Sequence, residues 1–188
     1  MDVKKIGKIA VFSPAIFIAI VVYLHSVQTD YEPAHQFMSE LALGPMGWLM
    51  LFAFCSLGGS VGALAIGLLL SGARSAITVL LLLGTTGFIG AGFVRLDENA
   101  NVHIGLVAVS FVTVALSMYL LPSSSDLFKG KRQKAISWIL AIGLGVSVAL
   151  GSSIIPAGVG QRISSLLLIF WLVWAGFRLS KLGVQRNA

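Results

Sequence analysis

His35, Ser39, Asp97 and His103 are the residues from which a reaction could be assembled in this chain. Two imidazoles and a carboxylate are a donor set that would hold a catalytic zinc, leaving a fourth position for water. A histidine beside Ser39 would instead activate its hydroxyl as a nucleophile without a metal. His35 and Ser39 are four residues apart, the spacing of neighbours on one helical face. Asp97 stands six residues before His103, and a carboxylate next to an imidazole orients the ring and sets its tautomer. Around these lie Glu40, Arg95, Gln161 and Arg162, the other members of a candidate ligand-binding set. A guanidinium at 162, beside the backbone donors of a new helix, would hold an anion such as a phosphate headgroup. Each group also has a plainer reading. The polar side of the 35–40 segment would only meet water or headgroups. Asp97 or Asn99 would cap a helix with His103 on its first turn, and Arg162 would pair with Asp97, Glu98 or Glu40 to lock helix ends. The residues alone leave both readings open.

These groups need elements to position them, and composition says which. Of the 188 residues 57% are hydrophobic and 11% charged, with a mean hydropathy of +0.94. That excludes an ordinary soluble surface and makes the bilayer the solvent. About 20 apolar residues in a helix cross the hydrocarbon core. Six such runs are marked, at Ile6 to Leu24, Trp48 to Leu70, Ala76 to Val94, His103 to Leu121, Ala135 to Ile155 and Ile163 to Leu182. The expected fold is all-α, a polytopic six-helix transmembrane bundle occupying residues 1–188 as one domain.

Lys4, Lys5 and Lys8 ahead of the first run resemble the start of a signal peptide. Tyr23-Leu24-His25-Ser26 lacks the small-x-small pattern of a cleavage site. A retained first helix is therefore expected, with at most a local kink at Pro14.

One side of the predicted topology carries Lys4, Lys5, Lys8, Arg74, Lys129, Lys131, Arg132, Lys134, Arg178, Lys181 and Arg186, and the other only Arg95 and Arg162. Eleven against two places both termini in the cytoplasm and the protein in the cell membrane. Segments 25–47, 95–102 and 156–162 then face outward, carrying His25, His35 and five of the seven carboxylates, with His103 at the adjoining end of the fourth run. The net charge of +6 needs no nucleic acid, since the basic residues scatter over two tails and two loops without interleaved aromatics. Lys129 to Lys134 are expected to meet anionic membrane lipid. Cys55 is the single cysteine, so no intramolecular disulfide forms, and it reads as a small buried hydrophobe.

Gly58 and Gly62, then Gly84, Phe88 and Gly92, then Gly143, Ser147 and Gly151 form small-residue faces on the second, third and fifth runs. Such faces let helices approach closely in lipid. They are expected to be contact faces, and oligomerisation through them stays open. The midplanes offer hydroxyls such as Ser60, Thr85, Ser110 and Ser147 but no ionisable group. This argues against a charge-coupled transporter and leaves passage or binding of a neutral solute or lipid. In the first outer segment Pro33 is expected to open a short interfacial helix, with Phe37 and Leu41 turned to the bundle and His35, Ser39 and Glu40 on its polar side, ending at Gly44-Pro45.

Tyr31-x-Pro33, the run His35-Gln36-Phe37-Met38-Ser39-Glu40-Leu41-Ala42-Leu43-Gly44, Asp97 with His103, and Gly158-x-x-Gln161-Arg162 before a last apolar helix resemble the domain-of-unknown-function family numbered nine hundred and ninety-eight. The resemblance covers nearly the whole chain. It implies a six-helix integral membrane protein of bacteria or archaea, and no particular activity. A looser likeness joins the polar residues to membrane-embedded metal hydrolases of the ceramidase and adiponectin-receptor type, though six spans and no His-x-x-x-His pair on a late helix depart from them. Three functional classes follow: an outward site that binds or handles a lipid or other amphiphile, a membrane hydrolase that is zinc-dependent or uses Ser39, and a scaffold for partner membrane proteins.

Overall fold

In hydrocarbon every backbone N–H and C=O must be paired within the protein, and an apolar run of this length does so as a helix. A computed structural model describes residues 2–150 and 154–185. The long helices are α1 (Val3–Val27), α2 (Leu49–Leu70), α3 (Ser75–Phe93), α4 (Ala100–Leu120), α5 (Lys131–Leu150) and α6 (Ala157–Gln185). All six are long and apolar enough to cross a membrane. Among the described residues there is no strand. Consecutive helices pack side by side, and α1 also packs against α6, closing the bundle. Leu64, Leu68, Leu81, Met118 and Trp171 lie fully buried within it. The protein is a six-helix membrane bundle. Residues 28–48, 94–99 and 154–156 gather at one end, the loop face, and the ends of the described chain lie at the other, the termini face.

Two boundaries differ from the sequence reading. α6 begins at Ala157, directly after Pro156, six residues ahead of Ile163, so Gln161 and Arg162 sit on its second turn. The short helix of the first loop spans Met38–Ala42, is of the 3-10 type, and does not start at Pro33. The reason is where the backbone groups of 33–37 go. The Pro33, Ala34, Gln36 and Phe37 carbonyls accept from Arg162, Val159 and Tyr31. Residues 32–36 make one isolated turn, closed by the His35 and Gln36 N–H groups on the Glu32 carbonyl, and the helix proper begins at residue 38. Glu40 then caps the turn, its Oε1 accepting from the Phe37 N–H at 2.8 Å.

The small-residue faces are contact faces, with one redistribution. A Cβ on Gly58 would meet Ile89 at 2.8 Å and one on Gly62 would meet Thr85 at 3.3 Å, so that face receives α3. On α5, Gly143 meets Leu167 and Ser147 bonds Ser164, so that face receives α6; Gly151 lies outside the described residues. On α3 the expected single face splits. Gly84 abuts Val114 and Thr113 of α4, whereas Gly92 abuts Phe54 and Leu51 of α2. A helix between two neighbours presents glycine to both. α1 meets α6 through Gly7, where a Cβ would lie 2.6 Å from the Ser180 nitrogen and 2.7 Å from the Gly176 oxygen.

Pro14 stands inside α1 without ending it. A proline has no N–H for the carbonyl four residues back, which here belongs to Ala10. The Ser60 hydroxyl of α2 donates to that oxygen at 2.8 Å, in a fully buried setting. Ser60 thus replaces the helical hydrogen bond that Pro14 cannot make.

Candidate functional site

The loop face is organised by Arg162. Its Nη1 donates to the carbonyl oxygens of Pro33, of Gly158 at 2.9 Å and of Gln36 at 3.4 Å. Its Nη2 donates to His25 Nε2 at 2.9 Å and to the Tyr31 hydroxyl at 2.8 Å. A guanidinium has donors only, so His25 accepts at Nε2 and carries its proton on Nδ1, which bonds the Val21 carbonyl at 2.6 Å. The Tyr31 hydroxyl passes its own hydrogen to the Gln36 and Phe37 carbonyls, at 3.1 and 3.0 Å. The guanidinium carbon also lies 5.6 Å from the centroid of the Tyr31 ring, and the His25 and Tyr31 rings meet edge to face at 5.0 Å. Burial raises the Tyr31 pKa above its ordinary 10.0, while the hydrogen bond and charge of Arg162 work against that rise.

Glycine and glutamine complete this clasp. A Cβ on Gly158 would overlap the Pro33 and Gln36 carbonyl oxygens, so the loop backbone lies directly on the first turn of α6. Gln161 Oε1 accepts from the Met38 N–H at 2.5 Å. On the other side Gln28, 8% exposed, sends its Nε2 to the Leu41 and Pro45 carbonyls, each at 2.9 Å. The loop is thus sewn to both α1 and α6.

The eight residues singled out by sequence divide among several settings. Gln161 and Arg162 are in the clasp, and Glu40 caps the loop turn while receiving Gln36 Nε2 at 3.3 Å. Ser39 is 3% exposed and shares a small chamber of about 10 Å³ with Gln161, Ser165, Phe54 and Phe111. That is room for about one water. His35 is exposed on the loop surface, so it and Ser39 do not share a polar face. Asp97 is bound by Arg95, at 3.1 Å from Nε and 2.8 Å from Nη2, with both side chains about half exposed. Arg162 therefore pairs with none of Asp97, Glu98 and Glu40; carbonyls, a tyrosine and a histidine take its hydrogens. Asn99, not Asp97, caps α4 by accepting from the Val102 N–H at 3.2 Å. His103 is 3% exposed, with Nδ1 on the Val94 carbonyl at 2.7 Å and its ring edge-on to Phe54 at 5.7 Å. Its Nε2 is buried with no partner among the described residues.

Among the described residues no three His, Cys, Asp or Glu side chains gather where they could hold one metal ion. Nor does a histidine or carboxylate hydrogen-bond Ser39 there. His25, Tyr31 and Gln28 are the functional residues that residue chemistry alone passed over. Tyr31-x-Pro33 carried a signal, but nothing local shows that His25, on the last turn of α1, faces a residue 137 positions away.

The second feature is a groove along α4 and α5. A cavity of about 360 Å³ is lined by Phe111, Ala115, Tyr119, Ala141, Gly145 and Val148, among others, all apolar but for the tyrosine hydroxyl. A second, of about 240 Å³, adjoins it toward the loop face and shares Phe111 and Val148 in its wall. Among the described residues the polar side chains at that end are Ser147, Ser164 and Gln161, and no charged residue lines either cavity. At the termini face the groove closes where Ser137 donates to the Met118 carbonyl at 2.6 Å and Trp138 stacks on Tyr119.

A model of the family described as protein of unknown function (DUF998) matches residues 11–178. The chain belongs to that family. The match takes in the whole clasp and every residue of the groove. No curated protein and no solved structure matches the chain.

Proposed function

We propose that the protein holds a membrane lipid or other amphiphile in the groove between α4 and α5, in the cell membrane, with both termini cytoplasmic. The groove itself carries this reading. The larger cavity has the size of an ordinary ligand site and the smaller one extends it, the walls are largely apolar, and apart from Tyr119 the described polar side chains collect at the loop-face end. From Ile104 to Tyr119 it follows α4 for about 22 Å at 1.5 Å per residue. An apolar tail lies along Phe111, Ala115 and Gly145, and the polar end of the molecule lies near Gln161. The eleven-to-two division of basic residues supports the orientation. The clasp fixes the first turn of α6, and with it the wall that carries Gln161 and Ser164. Arg162 is thereby a positioning residue.

Native mass spectrometry of protein released from mild detergent tests this reading. Lipid adducts are expected on the wild type. They should be lost in Gly145→Phe, whose new side chain fills the larger cavity without touching the clasp. A Gly145→Phe protein that retains the wild-type adducts overturns the assignment to this groove.

A further inference from the structure

The chemistry of the groove's polar end selects among amphiphiles. Among the described residues no Asp, Glu, Lys, Arg or His lines either cavity. A charged headgroup there would lose its hydration with nothing opposite in charge to replace it, a cost of several kcal/mol or more. Arg162 is close in sequence, but its two terminal nitrogens are engaged by five protein acceptors.

The three described polar side chains at the loop-face end differ in what they have left to offer. Ser147 donates to the Leu144 carbonyl and Ser164 to the Gly160 carbonyl, both at 2.9 Å, and their hydroxyl oxygens lie 2.8 Å apart. Each has one hydrogen, and each hydrogen is used. Gln161 is different. Its oxygen is taken by the Met38 N–H, while its amide nitrogen, with two hydrogens, has no partner among the described residues. Among the described residues the loop-face end of the groove therefore offers side-chain donors from Gln161, and neither charge nor a free amide acceptor; the Tyr119 hydroxyl lies at the opposite end.

We infer that the occupant is a lipid with an uncharged head bearing an acceptor oxygen, as in a diacylglycerol ester or a long-chain alcohol, and that Gln161 Nε2 donates to that oxygen. This rests on the groove being a lipid site. Gln161 then has two roles at once, its oxygen holding the loop and its nitrogen reading the ligand. Phospholipids with anionic heads and cationic amphiphiles are discriminated against by the same wall.

The test is competition on the full-length protein in mild-detergent micelles, read by native mass spectrometry. Dioleoylglycerol, dioleoylphosphatidylglycerol and oleylamine are supplied at equal concentration to the wild type, Gln161→Glu, Gln161→Leu and Gly145→Phe. Dioleoylglycerol should be retained about 10-fold over the two charged lipids, and both Gln161 variants should lose about 10-fold of that retention, the loss of one hydrogen bond. Gln161→Glu keeps the oxygen that receives the Met38 N–H, so its loss is read on an intact loop even where Gln161→Leu fails to fold. Preference for phosphatidylglycerol or the amine, removed by Gly145→Phe, overturns the uncharged-head inference while leaving the groove reading standing. Unchanged retention of dioleoylglycerol in Gln161→Glu overturns the role of Gln161. Retention that Gly145→Phe does not alter overturns the groove reading itself.

Discussion

The loop face and the α4–α5 seam are built from the same stock of small and apolar residues, yet one is closed and the other open. At the loop face Gly158 lets two carbonyl oxygens reach α6, and one guanidinium collects five acceptors there. In the seam Gly145 has nothing within 4 Å of where a Cβ would stand. A glycine brings helices together only where a neighbour fills the space it leaves, as the Pro33 and Gln36 carbonyls do at Gly158 and Ile89 does at Gly58. Gly87 on α3 does this too, resting on the Leu106 carbonyl and the Ser110 hydroxyl of α4. Facing only Phe111, Ala115 and Tyr119, Gly145 instead leaves a hollow. Small residues thus build both a close contact and an open gap in this bundle.

The contrast breaks most sharply at its centre. Arg162→Ala should destabilise the protein by about 2–3 kcal/mol, because five acceptors lose a charged donor in a half-buried setting. Thermal unfolding in micelles measures this, and Arg162→Lys should recover little, since an ammonium cannot reproduce the planar fork. A loss under about 1 kcal/mol would make the clasp incidental. Gly158→Ala comes next, at about 1–3 kcal/mol, as its methyl pushes the 33–36 backbone away from α6. Gly145→Ala should do the opposite. Filling open space and favouring the helix, it should leave stability unchanged or raise it by up to about 1 kcal/mol, and a clear loss would mean that the seam is closed. The smallest effect is in pH. Tyr31 binds its proton more tightly in the folded protein, so its contribution is complete below pH 10.0 and falls as pH rises above that value through the folded pKa. An alkaline titration of stability should show this decline in the wild type and a weaker one in Tyr31→Phe.

The architecture was legible because it depends on composition and length. Runs of about 20 apolar residues admit one backbone solution in a membrane, and the ridges on α2 and α5 became contact faces because small-residue spacing acts locally. The clasp was legible in part. Gln161, Arg162 and Glu40 were singled out as polar groups that needed partners, yet the partners were sought among carboxylates. Backbone carbonyls have no letter in a sequence, and they took most of Arg162's hydrogens. The same blindness moved the start of the loop helix, since the fate of the 33–37 carbonyls is settled by a helix more than a hundred residues later. Ser39 and His35 parted because a 3-10 turn replaced the expected α-helical one and buried the serine. The groove gave no signal, for a hollow is made by what side chains fail to fill.

The serine that stands in for the missing bond of Pro14 also has a bearing on how the protein is made. A first segment released alone into lipid would carry the Ala10 carbonyl without a donor, deep in a medium that supplies none. Its oxygen is answered only when residue 60, fifty positions later, has entered the bilayer beside it. The first two helices are thus expected to enter the bilayer together, as a hairpin. A Ser60→Ala chain should linger at the membrane with its first helix exposed to added protease for longer than wild type, and an equal rate of protection would show that the proline is tolerated without help.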